Sequence, residues 1–267
     1  MFFFIIPDRE AHMISASGHS LWRRQAHASL VILKKNVLLY YLKPPVLIFG
    51  VVFPVFFFLA FKMGRNVPPG GVVPGMVAMA LWFTASAIGP LVTPWERGAK
   101  TWERLISTPV SIRSILAGDV LSGFLFGSAV SVIPVILGLL LTDAHIVNLP
   151  LLVTGILAGA LTFASLGVLL SSPPASSPSN IMLLSNLVRL PLLFVSGIFV
   201  PIEQMPAWAG WVAPLSPLSY AVSLIRAAYG SVPYFPVWLC FLMLFLFTTV
   251  MFAASCRFHK MYRAKGL

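Results

Sequence analysis

Glu96, Arg97, Glu103 and Arg104 place two acids and two bases within about two helical turns, in a chain only 9% of whose residues are charged. Alternating signs at this spacing suit docking onto a surface of complementary charge. Trp102, Leu105 and Ile106 lie among them as apolar anchors, which a merely solvated loop does not need. Thr101 is placed to cap the short helix. Thr108-Pro109 ends it, because the residue before a proline is steered out of the helical region, and Ser111 restarts the chain. The expected chemistry of this segment is recognition of a protein partner.

Bond-making chemistry is harder to assemble. Gly98–Thr101, GAKT, has neither the adjacent Gly-Lys-Ser/Thr nor the earlier glycine of a phosphate-binding loop, and it follows an apolar run, not a soluble strand. His12, His19 and His27 stand seven and eight residues apart, too wide for the close geometry of a metal site. No Ser/His/Asp arrangement emerges, since Asp8, Glu10, Glu96, Glu103, Asp119, Asp143 and Glu203 fall mostly in loops or at the edges of apolar runs. Cys240 and Cys256 are about 24 Å apart along one helix, too far to bridge. No catalytic residue and no metal site is expected. Arg189 is the one charge well inside an apolar run, and such a residue is a functional candidate by default. An anionic headgroup of lipid or substrate would be its partner on a translocation path.

The elements that position these residues belong to a membrane. The chain is 58% hydrophobic, and its few charges could not cover a globular surface, which needs about 25%. Six spans of about 20 apolar residues are expected, near 45–62, 72–93, 114–141, 149–170, 180–200 and 236–256. The fold class is thus all-α and integral to the bilayer, with a tail and interfacial helix over 1–44, the spans over 45–256 and a basic tail over 257–267. SSPPASSPS, Ser171–Ser179, separates the fourth span from the fifth, because paired prolines cannot continue a helix. Asp119 lies about a turn into the third span and no carboxylate reaches the middle of any, which disfavours a proton- or sodium-coupled transporter. The opening MFFFIIPDRE lacks a basic n-region and meets Pro7 too soon for a signal peptide.

Lys and Arg set the orientation. Fourteen (Arg9, Arg23, Arg24, Lys34, Lys35, Lys43, Arg97, Lys100, Arg104, Arg113, Arg257, Lys260, Arg263 and Lys265) fall on one side, against Lys62, Arg65 and Arg226 on the other. Both termini are then cytoplasmic. The net charge of +11 is accounted for in this way, and nucleic acid is not expected as a partner. Between His19 and Lys43, Trp22, Ala26, Leu30, Leu33, Val37 and Tyr41 recur at helical spacing, with Arg23, Arg24, Lys34 and Lys35 off that stripe. This reads as an amphipathic helix in the inner interface. Gly123/Gly127 and Gly155/Gly159 allow close helix packing within the subunit. Val200–Gly230 is too apolar for an ordinary loop and too rich in proline for one helix. With Trp208, Trp211, Tyr220 and Tyr229 at headgroup level, it reads as two short helices re-entering from the outer face.

This order of elements, with Glu96, Arg97, Thr101, Glu103, Arg104, Leu105, Thr108, Pro109, Leu116 and Gly118 in the charged loop, resembles the ABC-2-type permeases. So do Gly197, Pro201, Pro206, Pro214, Pro217, Tyr220 and Arg226 in the outer hairpin. The nearest likeness is to the branch of nodulation-factor and daunorubicin exporter permeases, and it covers nearly the whole chain from about Leu21. The resemblance implies a permease subunit in a bacterial or archaeal cell membrane, paired with a second permease subunit, most simply as a homodimer. A separate ATPase subunit, which uses ATP and Mg, would dock on the short helix after the second span. This chain would bind no cofactor, and membrane lipid would be its surroundings. The cargo would be amphipathic or hydrophobic: a drug, a lipid or a lipid-linked saccharide. A lipid-modifying membrane enzyme and a secondary transporter are the alternatives.

Overall fold

Residues 69–98 carry no charge before Glu96, and an uncharged helix that is apolar on every side belongs in the middle of a bundle. The computed structural model places it there; it describes residues 18–40, 69–99, 110–173 and 178–264, with positions 48, 52, 55, 56, 101 and 105. Among the described residues every regular element is helical. The elements are α1 (Gly18–Tyr40), α2 (Pro69–Ala85), α3 (Ile88–Gly98), α4 (Ile112–Leu141), α5 (Leu149–Leu170), α6 (Pro178–Val195), α7 (Ala207–Val212), α8 (Pro217–Ala228) and α9 (Val237–Ala264). Val72–Gly98, Ile112–Leu141, Leu149–Leu170 and Val237–Tyr262 are long and apolar enough to cross a bilayer, and Ser179–Val195 is a shorter apolar helix. The expected first span, 45–62, lies outside the described residues apart from four isolated positions.

The second expected span proves to be two helices. Pro90 has no N–H, and its ring would strike the carbonyl four residues back, at Ser86. The ladder accordingly stops at Ala85 and resumes at Ile88. The fourth span matches its expected bounds, and the third begins two residues early, at Ile112, where Ser111 Oγ accepts from Ser114 N at 3.1 Å. The last helix runs on to Ala264, so Arg257 and Lys260 belong to it and not to a separate tail.

α2 packs against α4, α5 and α8, while α5 carries α8 and α9 on its other sides. Trp82 of α2 meets Phe163 of α5 edge-on, with centroids 4.8 Å apart. Glycine permits close crossings: a Cβ on Gly123 would lie 2.7 Å from the Ala85 carbonyl oxygen and 2.8 Å from the Ala164 Cβ. The small-residue pairs thus serve packing within the subunit. At the far end, Arg226 Nη2 donates to Gly197 O at 2.7 Å, and Gly197 turns the chain at φ +83.

Candidate functional site

The charged loop, the start of α4 and helix α1 meet at one end of the bundle. α1 lies along α4, but not by the stripe that its apolar residues define. Ser29, Ile32 and Asn36 are buried against the bundle, whereas Leu30 and Val37 are exposed. The apolar stripe of the interfacial helix is left for lipid, and a polar stripe faces protein.

Each contact of that polar stripe has a partner. Gln25 Oε1 accepts from Ser111 N at 3.0 Å and from Ser114 Oγ at 2.7 Å. Ser29 Oγ donates to the Ser114 carbonyl at 2.8 Å. Asn36, with no exposed surface, donates from Nδ2 to Asp119 Oδ1 at 2.7 Å and to Ser122 Oγ at 3.2 Å. Lys35 is ion-paired with Glu96 at the end of α3. Among the described residues Asn36 Oδ1, Glu96 Oε2 and Asp119 Oδ2 are buried acceptors with no partner, so the described part of the joint holds more acceptor than donor. Buried polar groups that pair across three elements fix their mutual register more than they add stability.

Two residues expected on the docking surface are turned inward. Glu96 is 4% exposed and engaged by Lys35. Arg97 donates to Pro173 O at 2.9 Å and to Ser172 O at 3.3 Å, tying the end of α3 to the turn after α5. Proximity to the loop drew both into the docking set; their side chains brace it from within. Thr101 is exposed, and its hydroxyl donates to Glu96 O at 3.2 Å, an end bond of α3; the residues it would cap lie outside the described set. Leu105 is half-buried. Trp102, Glu103, Arg104, Thr108 and Pro109 lie outside the described residues. The amide of Ala99 is bonded to Trp95 O at 2.9 Å and is not free to hold a phosphate.

Of the interfacial residues, Arg23, Arg24 and Lys34 are exposed and Lys35 is half-buried, while the Trp22 side chain lies outside the described set. Asp119, expected about a turn into its span, sits seven residues after Ile112 and is 1% exposed.

Arg189 is 5% exposed, on the inward stripe Ile181, Ser185, Arg189 and Leu193 of α6. Its Nε donates to Ser185 O and its Nη1 to Ser86 Oγ, each at 3.3 Å. Ser86 stands in the break between α2 and α3, where the C-terminal end of α2 carries partial negative charge. No carboxylate pairs with Arg189 among the described residues. The cation is held by hydroxyl, carbonyl and helix end.

In the outer hairpin Trp208 and Trp211 are exposed, as a headgroup position requires. Tyr220 and Tyr229 are buried instead: the Tyr220 hydroxyl donates to Pro214 O at 3.0 Å, and its ring stacks on Phe235 at 4.6 Å. The lone acceptor carbonyl explains the inward turn. Pro206 and Pro217 open α7 and α8, and Pro201 precedes the turn Ile202–Gln204. Burial lowers the pKa of Arg226, with Glu203 opposing the shift.

An all-helical, membrane-type bundle with a polar joint at one end and an aromatic hairpin at the other defines a class of multi-pass membrane protein. Residues 27–230 match the model of the ABC-2 type transporter family, and the chain belongs to that family. It is 29% identical over 159 residues to Nodulation protein J of Rhizobium leguminosarum bv. viciae, a match covering 57% of this chain and 59% of that one. It is 32% identical over 166 residues to the Daunorubicin resistance ABC transporter permease protein DrrB1 of Streptomyces coeruleorubidus, covering 59% and 54%. A putative transport permease, ycf38, of Porphyra purpurea is 31% identical over 155 residues, covering 56% and 52%. The chain thus spans less than two thirds of the length of these relatives.

Proposed function

We propose that this chain is the permease subunit of an ATP-driven export complex that moves an amphipathic or hydrophobic solute outward. The observation that carries the reading is the joint of α1, α3 and α4: Lys35 with Glu96, and Asn36 with Asp119, adjoin the loop that begins at Thr101. A partner gripping that loop would move all three helices together, since none can shift without breaking a buried polar contact. The partner is an ATPase subunit using ATP and Mg, and Thr101, Trp102, Glu103, Arg104 and Leu105 form the docking helix ended by Thr108-Pro109. A second permease subunit, in a homodimer, completes the pathway. Both termini face the cytoplasm of a bacterial or archaeal cell, and six spans cross its membrane. Arg189, at the break between α2 and α3, is the charge on that pathway; the cargo is a drug, a lipid or a lipid-linked saccharide, and the name of the Streptomyces relative, daunorubicin resistance, supports a drug.

Co-purification with a nucleotide-binding subunit, and ATP hydrolysis that rises with cargo, is the test. Charge reversal at Glu103 and Arg104 together is expected to release the ATPase; unchanged co-purification refutes the docking role. One observation favours a secondary transporter instead: Asp119 is a buried carboxylate with an unpartnered oxygen. Solute movement driven by an ion gradient, with this chain alone in vesicles, would select that reading.

A further inference from the structure

A groove runs along α4 between α1 and α9, with a volume of about 540 Å³. Ala117 and Leu121 make its floor, Ala26 and Leu30 one wall and Phe252 the other, while Arg113 stands at one end. Arg113, Ala117 and Leu121 recur every four residues on one face of α4, so the floor extends about 12 Å from the guanidinium into the apolar zone. Phe252, Cys256 and Lys260 take the same spacing on α9, which runs antiparallel to α4. Cys256 packs with Ile112 and Leu116 of α4, so Lys260, one turn further along α9, stands at the same end of the bundle as Arg113. α9 has 28 residues, about 42 Å, against a hydrocarbon core of about 30 Å. Its last turns, with Lys260, therefore stand at headgroup level.

Neither Arg113 nor Lys260 is ion-paired among the described residues, and both are exposed. Leu30 is 55% and Leu121 36% exposed above the floor. The floor and walls at Ala117, Leu121, Ala26, Leu30 and Phe252 are apolar, and a free anion would leave them bare. Only a molecule with a negative head and an apolar tail satisfies both ends. Basic pockets between transmembrane helices on the inner side bind acidic lipid headgroups for the same reason.

We propose that this groove seats one anionic phospholipid, its phosphate between Arg113 and Lys260 and one acyl chain on Ala117 and Leu121 beneath α1. The occupant touches α1, α4 and α9 at once and so wedges the interfacial helix beside the Gln25 and Ser29 end of its polar joint. The inference stands apart from the export reading, because it requires neither an ATPase nor a cargo.

The test is native mass spectrometry of the purified full-length protein titrated with phosphatidylglycerol, and in parallel with phosphatidylcholine. A preferred phosphatidylglycerol adduct is expected. Arg113→Ala should weaken it about fivefold, the factor equivalent to ~1 kcal/mol for one basic residue at an anionic surface. Ala117→Trp fills the floor and should abolish it. Arg257→Ala removes the same charge from the same end without lining the groove, and should leave the adduct within about twofold, well short of the Arg113→Ala effect. Equal binding of the two lipids, equal weakening by Arg113→Ala and Arg257→Ala, or an adduct that survives in folded Ala117→Trp would each overturn the proposal. Should Ala117→Trp not fold, the two exposed arginines decide it.

Discussion

Asn36→Ala cuts the polar joint with the least disturbance of shape, and its cost can be worked from the contacts. It removes one bond to a carboxylate oxygen at 2.7 Å and one to the Ser122 hydroxyl at 3.2 Å. A hydrogen bond to a charged group contributes about 1.5–3 kcal/mol and a neutral one about 0.5–1.5. Bonds between helices in bilayers sit at the low end, near ~0.6 kcal/mol on average, so the expected loss is about 2 kcal/mol. The informative quantity is the coupling. Asp119→Ala removes the same bond from the other side, so in a double-mutant cycle the pair should differ from the sum of the singles by about 1.5 kcal/mol. Reversible unfolding of the four proteins in mixed micelles measures it. Additivity within ~0.5 kcal/mol would mean that Asn36 and Asp119 do not act as one contact, and the account of α1 as a part rigidly joined to α4 would fail.

Further outcomes are expected. Glu96→Lys sets a second cation beside Lys35 in a site 4% exposed and should cost about 3–5 kcal/mol; the double reversal at Glu103 and Arg104 should leave the melting temperature unchanged while releasing the ATPase. Gly123→Val drives a side chain into the Ala85 carbonyl and the Ala164 methyl and should destabilise by at least about 1–3 kcal/mol, whereas Gly98→Ala, with nothing within 4 Å of its added carbon, should be tolerated in the same melt. Arg189→Ala should lose about 2 kcal/mol through its two bonds and reduce export at normal expression; undiminished export would remove Arg189 from the pathway. Tyr220→Phe forfeits the bond to Pro214 and should lower stability by about 1 kcal/mol.

The four long apolar helices were legible because apolar runs of about 20 residues bounded by charge or proline have one economical solution in a bilayer. Leu149–Leu170 falls where its run does. The polar joint was not legible, although its signal exists: Gln25, Ser29, Ile32 and Asn36 recur at helical spacing as clearly as Ala26, Leu30 and Val37 do. Reading the apolar stripe as the significant face is a habit from water. In a bilayer that stripe faces solvent, and the polar one can face protein. Glu96 and Arg97 show a second limit. Sequence placed them beside the loop, but their side chains' direction depends on α1 and on the turn after α5, which no local pattern encodes. The break at Ser86 could not be read from Pro90 alone, because Pro74, Pro94, Pro134 and Pro191 sit inside unbroken helices.

That break carries a mechanical corollary. The helical ladder is interrupted between α2 and α3 at Ser86 and Ala87, so a torque applied at Gly98 would bend the pair there first. Arg189, reaching from α6 to Ser86 Oγ, acts as the pin at that bend. Under the proposed docking, swivelling α3 would therefore draw on α6, and a push on the loop after α3 would reach α6 as lateral motion.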